Sequence, residues 1–256
     1  MAIYNLLYGG GGGFAPNIQP LNVSENGTYT ASGSVNGYSP VTVSVAGGAD
    51  SRFVQLAEGT IISVDDSTMT QIRPHAFDQC QSLAAVNLPN VVSIGAYAFQ
   101  YCYALADVSI PNAEHMGDSA FAYCRTLSTA NFPNVSKIYP NAFYSCSNLT
   151  SISFPVASVV GSSAFRACEN LTTASFPNVM SLIADNAFRS CFNLVSLYVM
   201  GSSVPTLGVN VFTSTPIGGY SESAGQFGSV YVPSSLWSLY IITNNWLSIS
   251  SRIVSI

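Results

Sequence analysis

From residue 72 onward the apolar residues recur on a long period rather than on the short periods of an isolated helix or strand. Aligned on Phe77, Phe99, Phe121, Phe143, Phe165 and Phe188, the units are spaced by 22, 22, 22, 22 and 23 residues. Five positions before each Phe stand Ile72, Ile94, Met116, Ile138, Val160 and Ile183. Six positions after it stand Leu83, Leu105, Leu127, Leu149, Leu171 and Leu194. Val86, Val108, Ala130, Ile152, Ala174 and Leu197 come next, followed two residues on by Leu88, Ile110, Phe132, Phe154, Phe176 and Val199. The alternation in this last part predicts a short strand with one buried face. Pro89, Pro111, Pro133, Pro155 and Pro177 follow it and, lacking an N–H, would end the ladder. Each unit also carries Ala-Phe-x-x-Cys-x-x-Leu, as in AFQYCYAL at 98–105.

One such unit cannot bury its own apolar columns, so neighbours must stack into a continuous core. The prediction is a repeat solenoid with a parallel β ribbon. Strands about 4.8 Å apart give a ribbon of roughly 25–30 Å over six units. The pattern resembles the BspA-like leucine-rich repeat family of bacteria and their phages, over Ile72 to Val199, about half the chain. The later stretch VYVPSSLWSLYIITNNW, Val230 to Trp246, resembles the segment that closes such arrays. The resemblance implies a leucine-rich-repeat-like stack and a family that includes adhesins and other surface proteins. Val211-Phe212 echoes the repeat, with Thr215 for Cys and Gly218 for Leu, as a degenerate last coil would. Trp237 and Trp246 are expected to close the open end of the core.

Ahead of the repeats the pattern changes. NVSENGTYTASGSVNGYSPVTVSVAGG has Asn-Gly at 26–27 and at 36–37 between alternating residues, a hairpin signal. Tyr29, Val35, Val41, Val43 and Val45 are expected to share one face of a small β-hairpin segment, too small to stand alone. It resembles short modules of phage tail and baseplate-associated proteins. Ile3, Tyr4, Leu6, Leu7 and Tyr8 precede five glycines, and such a group left exposed invites aggregation. They predict an assembly anchor. The organisation expected is an anchor over 1–13, the hairpin module over 14–50, an N-terminal cap over 51–71, six repeats over 72–200 and a degenerate repeat with C-terminal cap over 201–256.

Composition narrows the partners. Charged residues are 7% of 256, against roughly 25% in ordinary soluble domains, and the net charge is -5. Only seven Lys and Arg are present, so nucleic acid is a poor partner. No run of about 18 apolar residues predicts a membrane span. The first residues lack the basic region of a secretory signal, so export by the general route is not expected. A surface this poor in charge repels neighbours weakly and suits an assembly, homo-oligomers included.

Candidate chemistry is sparse. Cys80, Cys102, Cys124, Cys146, Cys168 and Cys191 occupy one column. Equivalent Cβ atoms in adjacent coils would lie about 4.8 Å apart, too far for a disulfide, and a linear row does not converge on a metal. Small buried thiols beside the Phe column are the expectation. His75 and His115 sit at different offsets and read as turn residues. No catalytic constellation, phosphate loop or cofactor motif stands out, so no enzyme activity and no cofactor are expected.

Function must then lie in the positions that the repeat leaves free. On the strand these are small and polar, from Ala85 and Asn87 to Ser196 and Tyr198. Around the cysteines they are Tyr101, Tyr103, Tyr123 and Tyr144 with Arg125, Arg166 and Arg189. Tyrosines offer contact area with a polar tip at low entropic cost. They suit a glycan or a protein, or they cover neighbouring coils. The missing signal, the glycine-rich first residues and the very low charge favour a non-enzymatic phage tail protein (a fibre, spike or baseplate-associated adhesin) that joins other virion proteins through its N-terminus. The alternative is a bacterial cell-surface leucine-rich repeat adhesin.

Overall fold

The computed structural model describes the backbone of five strands between residues 18 and 65, and residues 69–256 apart from 82, 180 and 220–226. The proposed anchor residues Ile3, Tyr4, Leu6, Leu7 and Tyr8, their glycines, and Val35 lie outside the described residues. The repeats form a parallel solenoid whose coils each contain a long strand, a corner, a short strand and a turn. In coils 1 to 7 the long strands are β5 (Ile61–Asp65), β7 (Ala85–Asn87), β9 (Asp107–Ser109), β11 (Thr129–Asn131), β13 (Ser151–Ser153), β15 (Thr173–Phe176) and β17 (Ser196–Val199). The short strands, in the same order, are β6 (Gln71–Ile72), β8 (Ser93–Ile94), β10 (His115–Met116), β12 (Lys137–Ile138), β14 (Val159–Val160), β16 (Leu182–Ile183) and β18 (Thr206–Leu207). His115 therefore lies on a short strand and not in a turn. Its neighbour Met116 takes the buried column position, which leaves His115 exposed.

The apolar columns all point inward, and the Phe column from Phe77 to Phe188 is fully buried. Each such ring contributes about 1.5–3 kcal/mol by leaving water. Successive rings stack nearly parallel, so the repeat spacing is also a ring spacing. The turn around each Phe uses a conformation that the sequence does not advertise. Residues two before and two after it, such as Tyr97 and Tyr101 or Ser163 and Ala167, have φ between 53° and 64° in every coil. This left-handed region normally favours glycine. Here the curl aims three N–H groups at the next coil, as when Tyr97, Phe99 and Tyr101 donate to the carbonyls of Asp118, Ala120 and Ala122.

The thiol column joins this turn ladder. Cys102, Cys124, Cys146, Cys168 and Cys191 donate through Sγ to the Phe carbonyl of the preceding coil at 3.0–3.2 Å. All six cysteines are free thiols. Burial, reinforced by the nearby Asp78 carboxylate, pushes Cys80 up to about 12, and burial holds the others well above the ordinary thiol range. They are protonated donors at neutral pH.

A glycine column sets how closely coils approach. Four positions before Phe stand Gly95, Gly117, Gly161 and Gly208. A Cβ there would lie 2.3–2.7 Å from backbone of the preceding coil. Coil 4 breaks the column with Tyr139, and the ladder breaks at the same place. No pairing joins β9 to β11 or β10 to β12, so the ribbon divides into separate sheets between coils 3 and 4. A second cause acts inside the core. The column filled by Leu88 and Ile110 becomes Phe132, Phe154 and Phe176, and Phe132 reaches across to the Phe121 ring at 5.4 Å. Ala184 also interrupts the glycine column, yet its N–H still reaches the Val160 carbonyl at 2.9 Å. That coil has 23 residues, and the extra residue supplies the slack that coil 4 lacks.

Both ends of the ribbon are capped. β2 (Gly27–Ala31) and β3 (Val41–Val45) form an antiparallel hairpin with Tyr29 opposite Val43 and Asn36-Gly37 near the midpoint of the connection. β2 pairs antiparallel with β5, adding the hairpin to the first coil. Asn26-Gly27 does not make a hairpin. The strand before it, β1 (Ile18–Val23), pairs instead with β4 (Arg52–Ala57), since both edges of β2 are taken by β3 and β5. At the other end β19 (Ser229–Val232) and β20 (Ile253–Ser255) extend the ribbon, with α1 (Trp237–Tyr240) and α2 (Asn244–Leu247) between them. Trp246 is buried against Phe212 and Tyr240, and its Nε1 donates to the Pro205 carbonyl at 2.8 Å. Trp237 departs from expectation. It stays 39% exposed with Nε1 on the Ile253 carbonyl, and Tyr240, three residues on, turns inward in its place. Thr215 keeps its hydroxyl within its own coil, donating to the Phe212 carbonyl at 2.8 Å.

Candidate functional site on the turn face

The turn after each Phe leaves side chains outside the core, and in coils 2 to 4 these include tyrosines, with Tyr101 and Tyr123 at the left-handed position. Tyr101 and Tyr123 stack at 4.6 Å with 19° between ring planes. Tyr103 meets Tyr101 edge-on at 6.0 Å, and Tyr144 meets Tyr123 edge-on at 5.2 Å. Arg125 lies over the Tyr103 ring at 5.0 Å and Arg166 over Tyr144 at 5.6 Å. Six of the seven candidate residues thus form one cluster across coils 2 to 5. Arg189 does not join it, since its guanidinium turns to Asn186 at 3.4 Å.

Each ring already has a tyrosine or guanidinium neighbour against it. What the cluster offers outward is ring edges, hydroxyls and the two guanidinium heads. Among the described residues the one ion contact is His75 with Asp78, at 3.0 Å, so Arg125 and Arg166 have no carboxylate partner there. Partial burial, then the phenols of Tyr144 and Tyr101, push the Tyr123 hydroxyl above its ordinary range, while Arg125 pulls it down. Tyr123 is a neutral hydrogen-bonding group beside fixed positive charge. The turn at coil 1 has a separate aromatic pair, His75 stacked on Tyr97 at 4.8 Å.

The strand face is different. Thr129, Ser151, Thr173, Ser196 and Ser229 run in register along one line. Tyr198 and Tyr231, at the C-terminal end of this face, stack at 4.7 Å. Tyr231 lies beyond the six repeats, and only the in-register extension by β19 reveals it.

The fold and the exposed turn face define a leucine-rich repeat protein with a candidate interaction surface. The profile of the BspA type leucine rich repeat region matches in six copies, over residues 52–157 and 92–217, and the chain belongs to that family. The leucine-rich repeat protein TpLRR of T. pallidum is 32% identical, with a TM-score of 0.53 over 60% of this chain and 76% of that one. A leucine-rich cell surface protein of Faecalibacterium prausnitzii A2-165 is 24% identical, also with a TM-score of 0.53, over 64% of this chain. The match spans 43% of that longer protein, and at this identity it supports the fold alone. No curated protein matches the chain.

Proposed function

We propose that the chain is a non-enzymatic binding module of a bacterial cell surface, and that its turn face takes an acidic segment of a protein partner. The observation behind this reading is the tyrosine–arginine cluster. Tyrosine and arginine are the side chains that carry most energy at protein interfaces, and two guanidiniums without carboxylate partners call for anionic groups. Because each ring already has a neighbour against it, the cluster is poorly suited to stacking on sugar rings and better suited to hydrogen bonding from hydroxyl and guanidinium. Membership of the BspA type repeat family and the bacterial source of both similar structures are the support for a bacterial role in place of the virion role that the N-terminal segment suggests.

Binding of the whole chain to poly-glutamate and to polygalacturonate, measured at two salt concentrations, tests the reading. We expect salt-sensitive binding to poly-glutamate that weakens about tenfold or more in the Arg125→Ala, Arg166→Ala double variant and in Tyr123→Ala. Equal binding by these variants would remove the cluster from the site. Preference for polygalacturonate would make the partner a glycan.

A further inference from the structure

We propose that the boundary between coils 3 and 4 is a hinge, and that a ligand on the tyrosine cluster fixes its angle. The coupling part rests on the cluster being the binding site, whereas the hinge does not. Two of the three sides of the coil lose their ladder at this boundary, since β9 is not paired with β11 nor β10 with β12. The third side is whole. Ser119, Phe121 and Tyr123 donate to the carbonyls of Pro140, Ala142 and Tyr144 at 2.9, 2.8 and 2.7 Å. A stack held along one edge and unpaired along two others pivots about the held edge.

Packing agrees with that geometry. Val108 is half-buried, whereas Val86, Ala130, Ile152, Ala174 and Leu197 in its column are buried. The corner contact across the boundary is stretched. Asn134 donates to the Pro111 carbonyl at 3.2 Å, against 2.7 Å for Asn112 to Pro89 one coil earlier. The cause is local, because Tyr139 places a Cβ where the glycine column leaves no room and Phe132 wedges the core side.

The cluster lies on the held edge and crosses the boundary. Tyr101, Tyr103, Tyr123 and Arg125 belong to coils 2 and 3, whereas Tyr144 and Arg166 belong to coils 4 and 5. The Tyr123–Tyr144 edge contact bridges the two groups. A ligand that touches both groups meets a different spacing at each hinge angle. It therefore binds one angle better and populates it, and a chain held at that angle binds the ligand better in return.

Hydrogen exchange of the full chain, read by mass spectrometry at residue resolution, tests both parts. In the free protein the amides of Thr129, Ser136 and Tyr139 should exchange about tenfold or more faster than Ser151, Ser158 and Gly161, their counterparts one coil later. Tyr139→Gly restores the glycine column and should slow the first set toward the second. Gly161→Ala, a milder change, should speed the second set. Equal exchange of both sets in the wild type, or no response to Tyr139→Gly in a folded variant, would overturn the hinge. Saturating poly-glutamate should slow the first set in the wild type. Binding without slowing would overturn the coupling and leave the site. Absence of binding would remove the site and the coupling together, while exchange in the free chain still decides the hinge.

Discussion

Coils 1 to 3 and coils 4 to 6 are built from the same repeat and pack differently. In the first group the Phe rings lie 5.0 Å apart, the neighbouring column is aliphatic, and the glycine column is intact after its first member. From the boundary onward the rings lie 5.4–5.5 Å apart, and a second aromatic column of Phe132, Phe154 and Phe176 stacks at 6.1–6.2 Å. Near-identical motifs thus produce two packing regimes, set by the residues between the motifs. The ladder fails where the two meet, because a spacing suited to glycine and leucine must there change to one suited to tyrosine and phenylalanine.

The largest expected effect comes from alkali, which acts on both groups alike. Three column thiols lie in each, and all six have raised pKa values from an ordinary 9.0. The unfolded chain then releases its protons first, so stability is kept below pH 9 and falls as pH rises above it. The loss approaches about 1.4 kcal/mol per thiol per pH unit. Equilibrium unfolding between pH 8 and 10.5 should show a steep decline, and replacing one thiol in each group by Ala should flatten it equally. Unequal flattening would show that one group is already open to water.

A cavity comes next. Phe121→Ala, just before the boundary, should cost about 3–5 kcal/mol in denaturant unfolding. Phe212→Ala, in the degenerate last coil, should cost less, because its ring is 6.2 Å from Phe188 and is already slightly exposed. Equal losses would mean that the last coil is as well packed as the middle. Smaller still is Gly117→Ala, whose new Cβ would sit 2.4 Å from the Ala96 nitrogen. It should cost about 1–3 kcal/mol and open a second boundary one coil earlier. The smallest effect has the opposite sign. Ala167 has φ 58° without glycine's freedom, and Ala167→Gly should raise the denaturation midpoint by the equivalent of about 1 kcal/mol.

The repeat made most of this architecture legible. Columns at fixed offsets from Phe named the buried side chains, and the spacing excluded disulfides along the thiol row. The boundary was not read from the sequence, although the run Gly95, Gly117, Tyr139, Gly161 carries it, because a column matters only once a Cβ there is known to meet backbone. The left-handed turns were not legible. They fall on His, Tyr, Gln, Ser, Asn and Ala, because hydrogen bonds to the next coil outweigh the local preference for glycine. Trp237 misled for a related reason. The tail was read as a string of large apolar groups, and which of them turns inward depends on a four-residue helix too short to show a period. The six clustered site residues were named by exclusion from the core. Their mutual contacts bring together offsets of one, two and four residues after Phe, which no single column of the repeat joins.

The hairpin on the first coil has a consequence for growth. A parallel ladder is a template with a direction, and its bare end accepts any strand of the same polarity. Solenoids with bare ends can therefore add end to end into a filament. Here β2 runs against β5 and β3 against β2, so two reversals return the outermost strand to the direction of the coils. What changes is the number of sides on offer. A coil meets its neighbour along three sides, whereas the hairpin continues the ladder of β5 alone. A second array arriving there would find the right polarity on one strand edge and no matching turn or short strand beside it.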